Sequence, residues 1–429
     1  MIEANPASQI AELLRDARCR SLALTADLSD EQLHVPMLDI VNPLLWEMGH
    51  VAYFAEFWTL RRLYDESPII PNADSLYDSA RIPHDDRWLL QLPTRPGTLR
   101  FMTRQLEAVE SHLRADGFTT PESEYFHRLI LSHEDMHGEA LVYTRQTLEY
   151  AAPNLRSKAP GKGAGGPFAG DVVVPAGPYS IGSRPSDGFV FDNEKWAHEV
   201  SVQRFSISRA PVTNAEYAAF VNAGGYSTRE VWSNEGWDWL QTSGAEHPIY
   251  WRSRRGSSGS ILWERRHFDR WAPLAESEPI CHVNWFEANA YCAWADRRLP
   301  SEAEWEVAAT GGDGRRYPWG DDPPSAEHAN LDALHGGPLD VGALPAGDSP
   351  VGCRQMIGNV WEWTASAFEP YPGYVVDPYK EYSAPWFGTH KVLRGGAWST
   401  RARLITARWR NFYRPHRRDI ITGFRTCAR

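Results

Sequence analysis

The 429-residue sequence has few cysteines, and their arrangement excludes two common kinds of site. It contains five, an odd number, and no two of them form a C-x-x-C pair. Neither a disulfide framework nor a thiolate zinc site is therefore indicated. A reducing, cytoplasmic environment is the expected location.

Other absences narrow the class of protein further. No run of 18 apolar residues occurs, so no membrane-spanning segment is expected. The start, MIEANPASQI, has neither the basic nor the apolar region of a signal peptide. The formal net charge is −11 at pH 7, which argues against nucleic acid as a partner because phosphate contacts require a basic face. What remains is a globular protein long enough for two domains.

The first part of the chain, residues 1–152, has the apolar periodicity of helices. Four are predicted: after Pro6, from Asn42-Pro43 to about Tyr64, over Leu99–Leu113, and from Thr120-Pro121 to about Tyr150. Four helices of this length favour a four-helix bundle, a scaffold that builds metal sites from inward-facing side chains.

The rest of the chain has a different pattern. Residues 153–170 are rich in Pro, Gly and Lys without periodicity and are predicted to be a linker. In residues 171–429, β-like pieces such as DVVVPAGPYSIGS and HKVLRGGAWS lie among many turn residues, with helices predicted at 213–221, 285–295 and after Pro300. Sixteen of the 19 tryptophans lie here. Most are expected to pack the core of a loop-rich α+β domain.

Three histidines fall on predicted buried helix faces. His133 and His137, in HEDMH, are one turn apart, so one ion could take both imidazoles, or both could be hydrogen-bonded core residues. His50 lies in the most apolar helix, where a polar ring needs a partner to offset its desolvation. A bundle could bring the three together. Three neutral imidazoles suit Fe, Zn, Cu or Ni and leave positions for substrate or dioxygen. The other twelve histidines are predicted to lie in loops or on polar faces.

The same stretch permits a peptidase interpretation. HEDMH matches H-E-x-x-H, in which His133 and His137 would bind zinc and Glu134 would act as the general base. The pattern fixes only three letters, and no G-x-x-H or helical Glu that could supply the third ligand stands out downstream. The peptidase is therefore kept as an alternative.

Several segments together resemble a known family. NPLLWEMGHVAYFAEFW and LILSHEDMHGEAL look like the two metal-binding helices of the ergothioneine-type sulfoxide synthases, whose first domain is a DinB-like four-helix bundle. PVTNAEYAAFV, YPWG, GNVWEWTAS, VLRGGAWS and GFRTCAR resemble the formylglycine-generating-enzyme fold, a C-type-lectin-like domain fused to that bundle. The resemblance covers almost the whole chain and implies a bundle over 1–152 and the second domain over 171–429.

The resemblance implies a mononuclear Fe(II) enzyme that uses O2 to join a sulfur donor to C2 of the imidazole of hercynine, forming a sulfoxide. By matching motifs, His50, His133 and His137 would be the iron ligands. Tyr379 matches the tyrosine that supplies a hydrogen bond or proton in the oxygen chemistry, and Tyr382 is its alternative.

Substrate-binding residues are implied by the same resemblance. The tail RWRNFYRPHRRDIITGFR matches the substrate-binding strand and loop of the family. Asn411 and Phe412 would contact hercynine, and Arg417 and Arg87 would bind the donor. Hercynine carries a quaternary ammonium, which aromatic side chains attract through cation–π interactions.

The chain departs from the family at two donor positions. Members that use γ-glutamylcysteine have Gln in place of Met136, and Trp-Asp in place of Phe412-Tyr413. A donor with an α-ammonium group favours a carboxylate beside it, whereas Tyr413 suits a neutral hydroxylated donor such as a sugar. One branch, the selenoneine synthases, takes a selenosugar. We therefore favour a selenosugar slightly over γ-glutamylcysteine or cysteine.

Other functions stay open at this point. A formylglycine-generating enzyme would need a reactive cysteine pair near the C-terminus, but no cysteine lies between Trp398 and Phe424, and Cys427 is alone. A zinc-dependent DinB-like thiol transferase would use the same three histidines. A non-catalytic C-type-lectin-like binder is the alternative outside enzymes, because fold does not settle function.

Overall fold

The computed structural model describes residues 6–155, 165–255 and 261–429. Its internal contacts divide the chain into two units, Met1–Leu155 and Arg156–Arg429, here called the N-terminal and the C-terminal unit. Residues 156–164 of the predicted linker lie outside the described residues.

The N-terminal unit is helical, as predicted. Its helices are α1 (Pro6–Ala23), α2 (Asp30–His34), α3 (Leu44–Glu56), α4 (Arg62–Tyr64), α5 (Ala73–Tyr77), α6 (Arg95–Asp116) and α7 (Pro121–Thr147). Helix α1 packs on α6 and α7, and α3 packs on the same two helices. The four long helices therefore form the predicted bundle, and its core is built from their apolar faces.

Local sequence explains where these helices begin. The Thr120 hydroxyl accepts a hydrogen bond from the Ser123 N–H at 3.0 Å, and Pro121 occupies the first turn, where its missing N–H costs nothing. In helix α3, Asn42 was expected to be the N-cap and Pro43 to lie in the first turn, but Pro43 is the N-cap and makes no side-chain capping bond. The Asn42 amide instead accepts a hydrogen bond from Arg87. The predicted end near Tyr64 is reached through a π-helical turn, Phe57–Arg61.

The C-terminal unit combines short strands, short helices and long connections. Its helices are α8 (Asn214–Asn222), α9 (Asn234–Ser243), α10 (Trp285–Trp294) and α11 (Glu302–Thr310). Its strands are β1 (Asp171–Val174), β2 (Gly177–Ile181), β3 (His198–Val202), β4 (Phe205–Ser208), β5 (Trp251–Arg255), β6 (Ile261–His267), β7 (Arg270–Pro273), β8 (Arg297–Arg298), β9 (Trp361–Ala367), β10 (Lys391–Arg394), β11 (Asn411–Tyr413), β12 (Thr422–Gly423) and β13 (Cys427–Ala428).

In the part of the chain that the structure describes, the strands form four small sheets. Two have four strands, in the orders β1-β4-β13-β8 and β11-β10-β9-β12, and the others are β2-β3 and β5-β6-β7. Pairing is antiparallel throughout, except that β12 runs parallel to β9. This mixed α+β unit has the predicted character, although α9 was not expected from the sequence.

Tryptophans fill the core of the C-terminal unit. Trp305 and Trp363 are completely buried. Each indole N–H has a partner, since Trp305 donates to Glu362 at 2.7 Å and Trp363 donates to the carbonyl of Val283 at 2.9 Å. Glu362 in turn holds Arg425 through two hydrogen bonds. These two tryptophans therefore pack in the core, as predicted.

Across the described ranges, no helix combines the length and the apolar character needed to cross a membrane.

Candidate metal centre

Helices α3 and α7 bring three histidines to one point. One ring nitrogen each of His50, His133 and His137 lies within 4.8 Å of the other two. The ring centroids of His50 are 5.2 Å from His133 and 5.0 Å from His137, and the last two are 4.5 Å apart. His50 and His133 are buried, while His137 is partly open. It is the only cluster of at least three His, Cys, Asp or Glu in the described residues with this geometry.

The His50 ring is fixed by its neighbours. Its Nδ1 donates to the carbonyl oxygen of Tyr77 at 2.8 Å, and its ring stacks on Trp46 at 4.7 Å with an interplanar angle of 9°. Gly49 permits this arrangement, because a Cβ there would lie 2.2 Å from Cε1 of Tyr77. Since Nδ1 is bonded to an acceptor, Nε2 carries the lone pair and is the nitrogen available as a ligand.

The other two rings are held from α3 as well. His137 donates from Nδ1 to Oε1 of Glu47 at 2.7 Å, and the Glu47 side chain is buried. His133 lies flat against Phe54, with ring centroids 3.5 Å apart and an interplanar angle of 4°. A carboxylate accepts only, so His137 also presents the Nε2 lone pair.

Burial keeps the enclosed imidazoles neutral. It lowers the pKa of His50 and of His133 well below the ordinary value, and the neighbouring His137 adds to the shift in both cases. Neutral imidazole is the ligating form. Three imidazole donors in one cluster fit a first-row transition metal, with coordination positions left for other ligands.

The carboxylate of HEDMH has a different partner. Glu134 is bonded to Arg18 through Nε–Oε1 at 2.8 Å and Nη2–Oε2 at 3.1 Å, and both side chains are buried. Arg18 also donates to Gln105 at 2.9 Å. A carboxylate that is buried and paired with an arginine is not placed to activate water as a general base, which argues against the peptidase interpretation.

Two residues predicted to bind the donor also lie in the N-terminal unit. The Arg87 guanidinium is 4.3 Å from the Trp46 ring centroid, so Arg87, Trp46 and His50 form a stack. Arg87 donates to Asn42 Oδ1 at 2.6 Å, and burial lowers its pKa. Met136 is half-buried on α7, next to His137. The structure therefore places Arg87 next to the ring that packs on His50.

The predicted hercynine residues form part of an aromatic cluster in the C-terminal unit. Asn411, Phe412 and Tyr413 make up β11, where Phe412 is paired with Val392 of β10. The Phe412 ring stacks on Phe368 at 4.1 Å. All three residues of β11 are half-buried.

The two candidate phenols belong to the same cluster. The rings of Tyr379 and Tyr382 are 5.9 Å apart. Tyr382 stacks on Phe191 at 4.0 Å and meets the edge of Phe412 at 5.6 Å. Burial raises the pKa of Tyr382 well above its ordinary value, and the charge of Glu194 raises it further. Tyr382 therefore retains its proton at neutral pH.

Arg417 has an internal partner. Its Nε and Nη2 each donate to a carboxylate oxygen of Asp419 at 2.6 Å, and its guanidinium is 5.4 Å from the Tyr413 ring centroid. The pairing orients the guanidinium beside Tyr413, so Arg417 is not a freely solvated surface charge.

Two residues that hold the histidine cluster, Glu47 and Trp46, were not predicted from the sequence. Glu47 and Trp46 lie three and four residues before His50, a spacing that places them on its side of the helix, and this spacing could have identified both. The expectation for the remaining histidines was wrong at His127, which is fully buried on α7 and bonded to the Ser123 carbonyl.

Comparison with known proteins gives consistent similarities for the two parts of the chain. A family model for the sulfatase-modifying factor enzyme 1-like domain matches residues 157–429. A second model, for the DinB superfamily, matches residues 13–141.

Several whole proteins are similar to this chain. The hercynine oxygenase of Mycolicibacterium thermoresistibile is 38% identical over 97% of this chain and 94% of its own length. The hercynine oxygenase of Mycolicibacterium smegmatis is 36% identical over 97% of each chain. The formylglycine-generating enzyme of Streptomyces coelicolor is 32% identical, but the match covers only 53% of this chain and 78% of that protein.

Proposed function

The chain belongs to the ergothioneine-type sulfoxide synthase family and is an oxidoreductase, and we propose that it couples a selenium or sulfur donor to C2 of the hercynine imidazole, using Fe(II) and O2. The observation that carries the proposal is the convergence of His50, His133 and His137 on one point. The relatives named hercynine oxygenase, which match over nearly their whole length, support hercynine as the acceptor.

The proposed reaction balances with O2 as the only oxidant. The C2–H bond of hercynine and the Se–H or S–H bond of the donor break, and a C2–Se or C2–S bond forms. One oxygen atom of O2 ends in the selenoxide or sulfoxide, and the other leaves as water with the two hydrogens. O2 is reduced by four electrons: two are released when C2 and the donor atom are joined with loss of their two hydrogens, and two come from oxidation of the donor atom to the selenoxide or sulfoxide.

The N-terminal unit would hold the metal. His50, His133 and His137 would bind Fe(II) as neutral ligands, and bound Fe(II) would supply open coordination positions and redox chemistry toward O2. The burial of His50 and His133 excludes bulk water from that side of the cluster. The stacked rings of Trp46 and Phe54 fix two of the imidazoles, which lowers the reorganisation needed on binding.

The C-terminal unit would supply substrate contacts and a proton. Phe412 and the rings around it offer faces to a trimethylammonium group, which cannot donate hydrogen bonds. Asn411 offers an amide beside them. Tyr379 or Tyr382 would hold the proton that steers the reaction toward coupling and away from oxidation of the donor alone.

The donor is proposed to be a selenosugar with a free selenol, with γ-glutamylcysteine or cysteine as the second candidate. Tyr413 is a neutral phenol, and no carboxylate occupies positions 411–413 to pair with a donor α-ammonium. A phenol provides a flat face and one hydroxyl, which suits a hydroxylated ring. Arg417 lies beside it, already paired with Asp419.

We also propose that the protein is located in the cytoplasm. All five cysteines are free thiols, and free thiols persist in reducing compartments.

The test is a product-mass assay on anaerobically iron-loaded protein. Hercynine and O2 are supplied with one donor at a time: a 1-selenosugar, its thiosugar analogue, γ-glutamylcysteine, or cysteine. We expect a product whose mass equals hercynine plus donor plus one oxygen atom minus two hydrogens. The selenosugar should react fastest.

The test variant is His133→Ala, and its matched control is His112→Ala. His112 lies on α6 and is bonded to Glu66, so its loss should leave coupling intact, whereas the His133 variant should form no product. Coupling by metal-stripped protein at the full rate would refute the proposal. Faster coupling of γ-glutamylcysteine or cysteine would refute only the choice of donor.

A further inference from the structure

We propose that Glu47 is a positioning residue for the metal centre, acting through His137. Glu47 lies on α3 three residues before His50, and its Oε1 is 2.7 Å from Nδ1 of His137, 90 positions further along the chain. One helix thus provides a candidate ligand, His50, and the group that orients another. The inference rests on the proposed function only in requiring that the three histidines bind a metal.

The contact determines which nitrogen of His137 faces the metal. Among the three rings His137 is the most exposed, and its side chain retains 20% of its accessible surface, so packing restrains it least. Its counterpart His133 lies flat against Phe54. A carboxylate can only accept, so it fixes the proton on Nδ1 and leaves the Nε2 lone pair free. The hydrogen bond therefore replaces the packing restraint that His137 lacks.

The charge of Glu47 adds a second effect. His50 donates its Nδ1–H to a backbone carbonyl, which has no net charge, whereas His137 donates to a carboxylate. An acidic partner makes an imidazole a stronger donor to a metal. The carboxylate also brings a negative charge to the histidine cluster, which stabilises a dication bound there.

Burying the Glu47 carboxylate is unfavourable unless its partners compensate for the lost hydration, which supports a functional role for it. The Glu47 side chain keeps only 3% of its accessible surface, and burying a carboxylate without compensation is expensive. The attraction between Glu47 and Arg87 offsets part of that cost. Burial lowers the pKa of Arg87, and the charge of Glu47 raises it by a smaller amount. Glu47 thereby connects the histidine cluster with the arginine that stacks on Trp46.

The experiment measures metal affinity directly, so it does not depend on turnover. Purified full-length protein is stripped of metal and titrated with Co(II) under nitrogen against a competing chelator, and the visible spectrum of the bound ion is recorded. The variants are Glu47→Ala, which removes the hydrogen bond, and Glu47→Gln, which retains an acceptor oxygen and removes the charge. Glu56→Gln is the matched control, since Glu56 is buried on the same helix and bonds to the backbone N–H of Ile69.

We expect the dissociation constant for Co(II) to rise about 10- to 100-fold in Glu47→Ala and by less in Glu47→Gln. The Co(II) spectrum of Glu47→Ala should also change, while Glu56→Gln should match the wild type in both measurements. Thermal unfolding of the metal-free proteins checks that the variants fold. If the Ala variant does not fold, the Co(II) affinity and spectrum of Glu47→Gln, which retains the shape of the side chain, test the positioning role.

Two other results are informative. If the wild type binds Co(II) and both Glu47 variants bind it equally well with an unchanged spectrum, the positioning role is refuted and the proposed function stands. If the wild type binds no Co(II) at the histidine cluster, the proposed function fails, and the inference fails with it.

Discussion

Arg18 and Glu134 form a doubly hydrogen-bonded ion pair inside the N-terminal unit, between helices α1 and α7. The pair joins residues 116 positions apart, and each side chain keeps only 4% of its accessible surface. Glu134 is the second residue of HEDMH, the one that a zinc peptidase would use as its base. In this chain the carboxylate links two helices of the bundle.

Breaking this pair should destabilise the bundle and leave the metal centre intact. Glu134→Gln leaves the buried Arg18 charge uncompensated, so we expect the free energy of unfolding to fall by about 3 kcal/mol. Urea denaturation of the metal-free protein measures the change.

A double variant supplies the control for this prediction. Arg18→Met combined with Glu134→Leu removes both charges and keeps apolar volume, so it should recover most of the lost stability. The folded fraction of Glu134→Gln should bind Co(II) with the affinity of the wild type. Full stability with abolished activity would instead indicate a catalytic carboxylate.

Much of the N-terminal unit could be predicted because its signals are local. Apolar periodicity and a Thr-Pro start identified α7, and the same periodicity placed His50, His133 and His137 on buried faces. What the sequence could not give were contacts between distant positions. The bond from His137 to Glu47 and that from Arg87 to Asn42 span 90 and 45 residues. Nothing in a local pattern distinguishes such pairs.

The C-terminal unit was less predictable, because short elements carry weak periodicity. Helix α9 was missed because it has a glycine in its first turn and buries only Gly236 and Leu240, which leaves no apolar stripe to detect. The local signals available were its N-cap, Ser233, which accepts from the N–H of Gly236, and Gly244, which ends the helix in the left-handed region. The resemblance to a family singled out Tyr382 and Phe412, but the edge-on contact between their rings could be seen only in the folded structure.

Metal should stabilise the protein through the three histidines. A ligand that binds only the folded state at 100 times its dissociation constant adds about 2.7 kcal/mol. We expect Co(II) or anaerobic Fe(II) to raise the melting temperature of the wild type and of His112→Ala, and to leave that of His50→Ala or His133→Ala unchanged. Calorimetry with and without a chelator provides the measurement. An equal shift in all four proteins would mean that the metal binds elsewhere.

The pH dependence of stability should reveal Glu56. Burial raises its pKa from 4.5 to about 7. The folded chain therefore holds a proton that the unfolded chain releases above pH 4.5, so this contribution to stability is full below pH 4.5 and is lost as the pH rises through 7.

Replacing Glu56 by glutamine should remove this loss. Relative to the wild type, Glu56→Gln should be more stable by roughly 1 to 3 kcal/mol at pH 8 and nearly equal at pH 4.5. Parallel urea titrations of both proteins across this range give the difference, in which the contributions of other titrating groups cancel. A constant difference at all pH values would contradict the assignment.

The two phenols should differ in their effect on the reaction. Replacing the catalytic one by Phe should cut coupling by 100-fold or more, as expected for loss of a general acid, and shift O2 consumption toward oxidation of the donor alone. Replacing the other should mainly affect packing. Tyr379→Phe and Tyr382→Phe are compared by the ratio of coupled product to oxidised donor. The ratio matters because a packing defect would slow both reactions equally. Unchanged ratios in both variants would exclude either tyrosine from the role.

Donor choice should be adjustable at position 413. Tyr413→Asp places a carboxylate in β11, where it can pair with the α-ammonium of γ-glutamylcysteine or cysteine. The substitution adds a charge and also removes the flat face of the phenol. It should therefore raise kcat/KM for the amino-acid thiols at least tenfold relative to a sugar donor.

Tyr413→Phe is the control, since it keeps the ring and adds no charge, and it should leave that ratio within a few-fold of the wild type. Arg417 is the competing partner for a new carboxylate, but its Nε and Nη2 are already bonded to Asp419. If Tyr413→Asp and Tyr413→Phe gave the same preference, position 413 would not contact the donor, and the argument for a selenosugar would lose its basis in this chain.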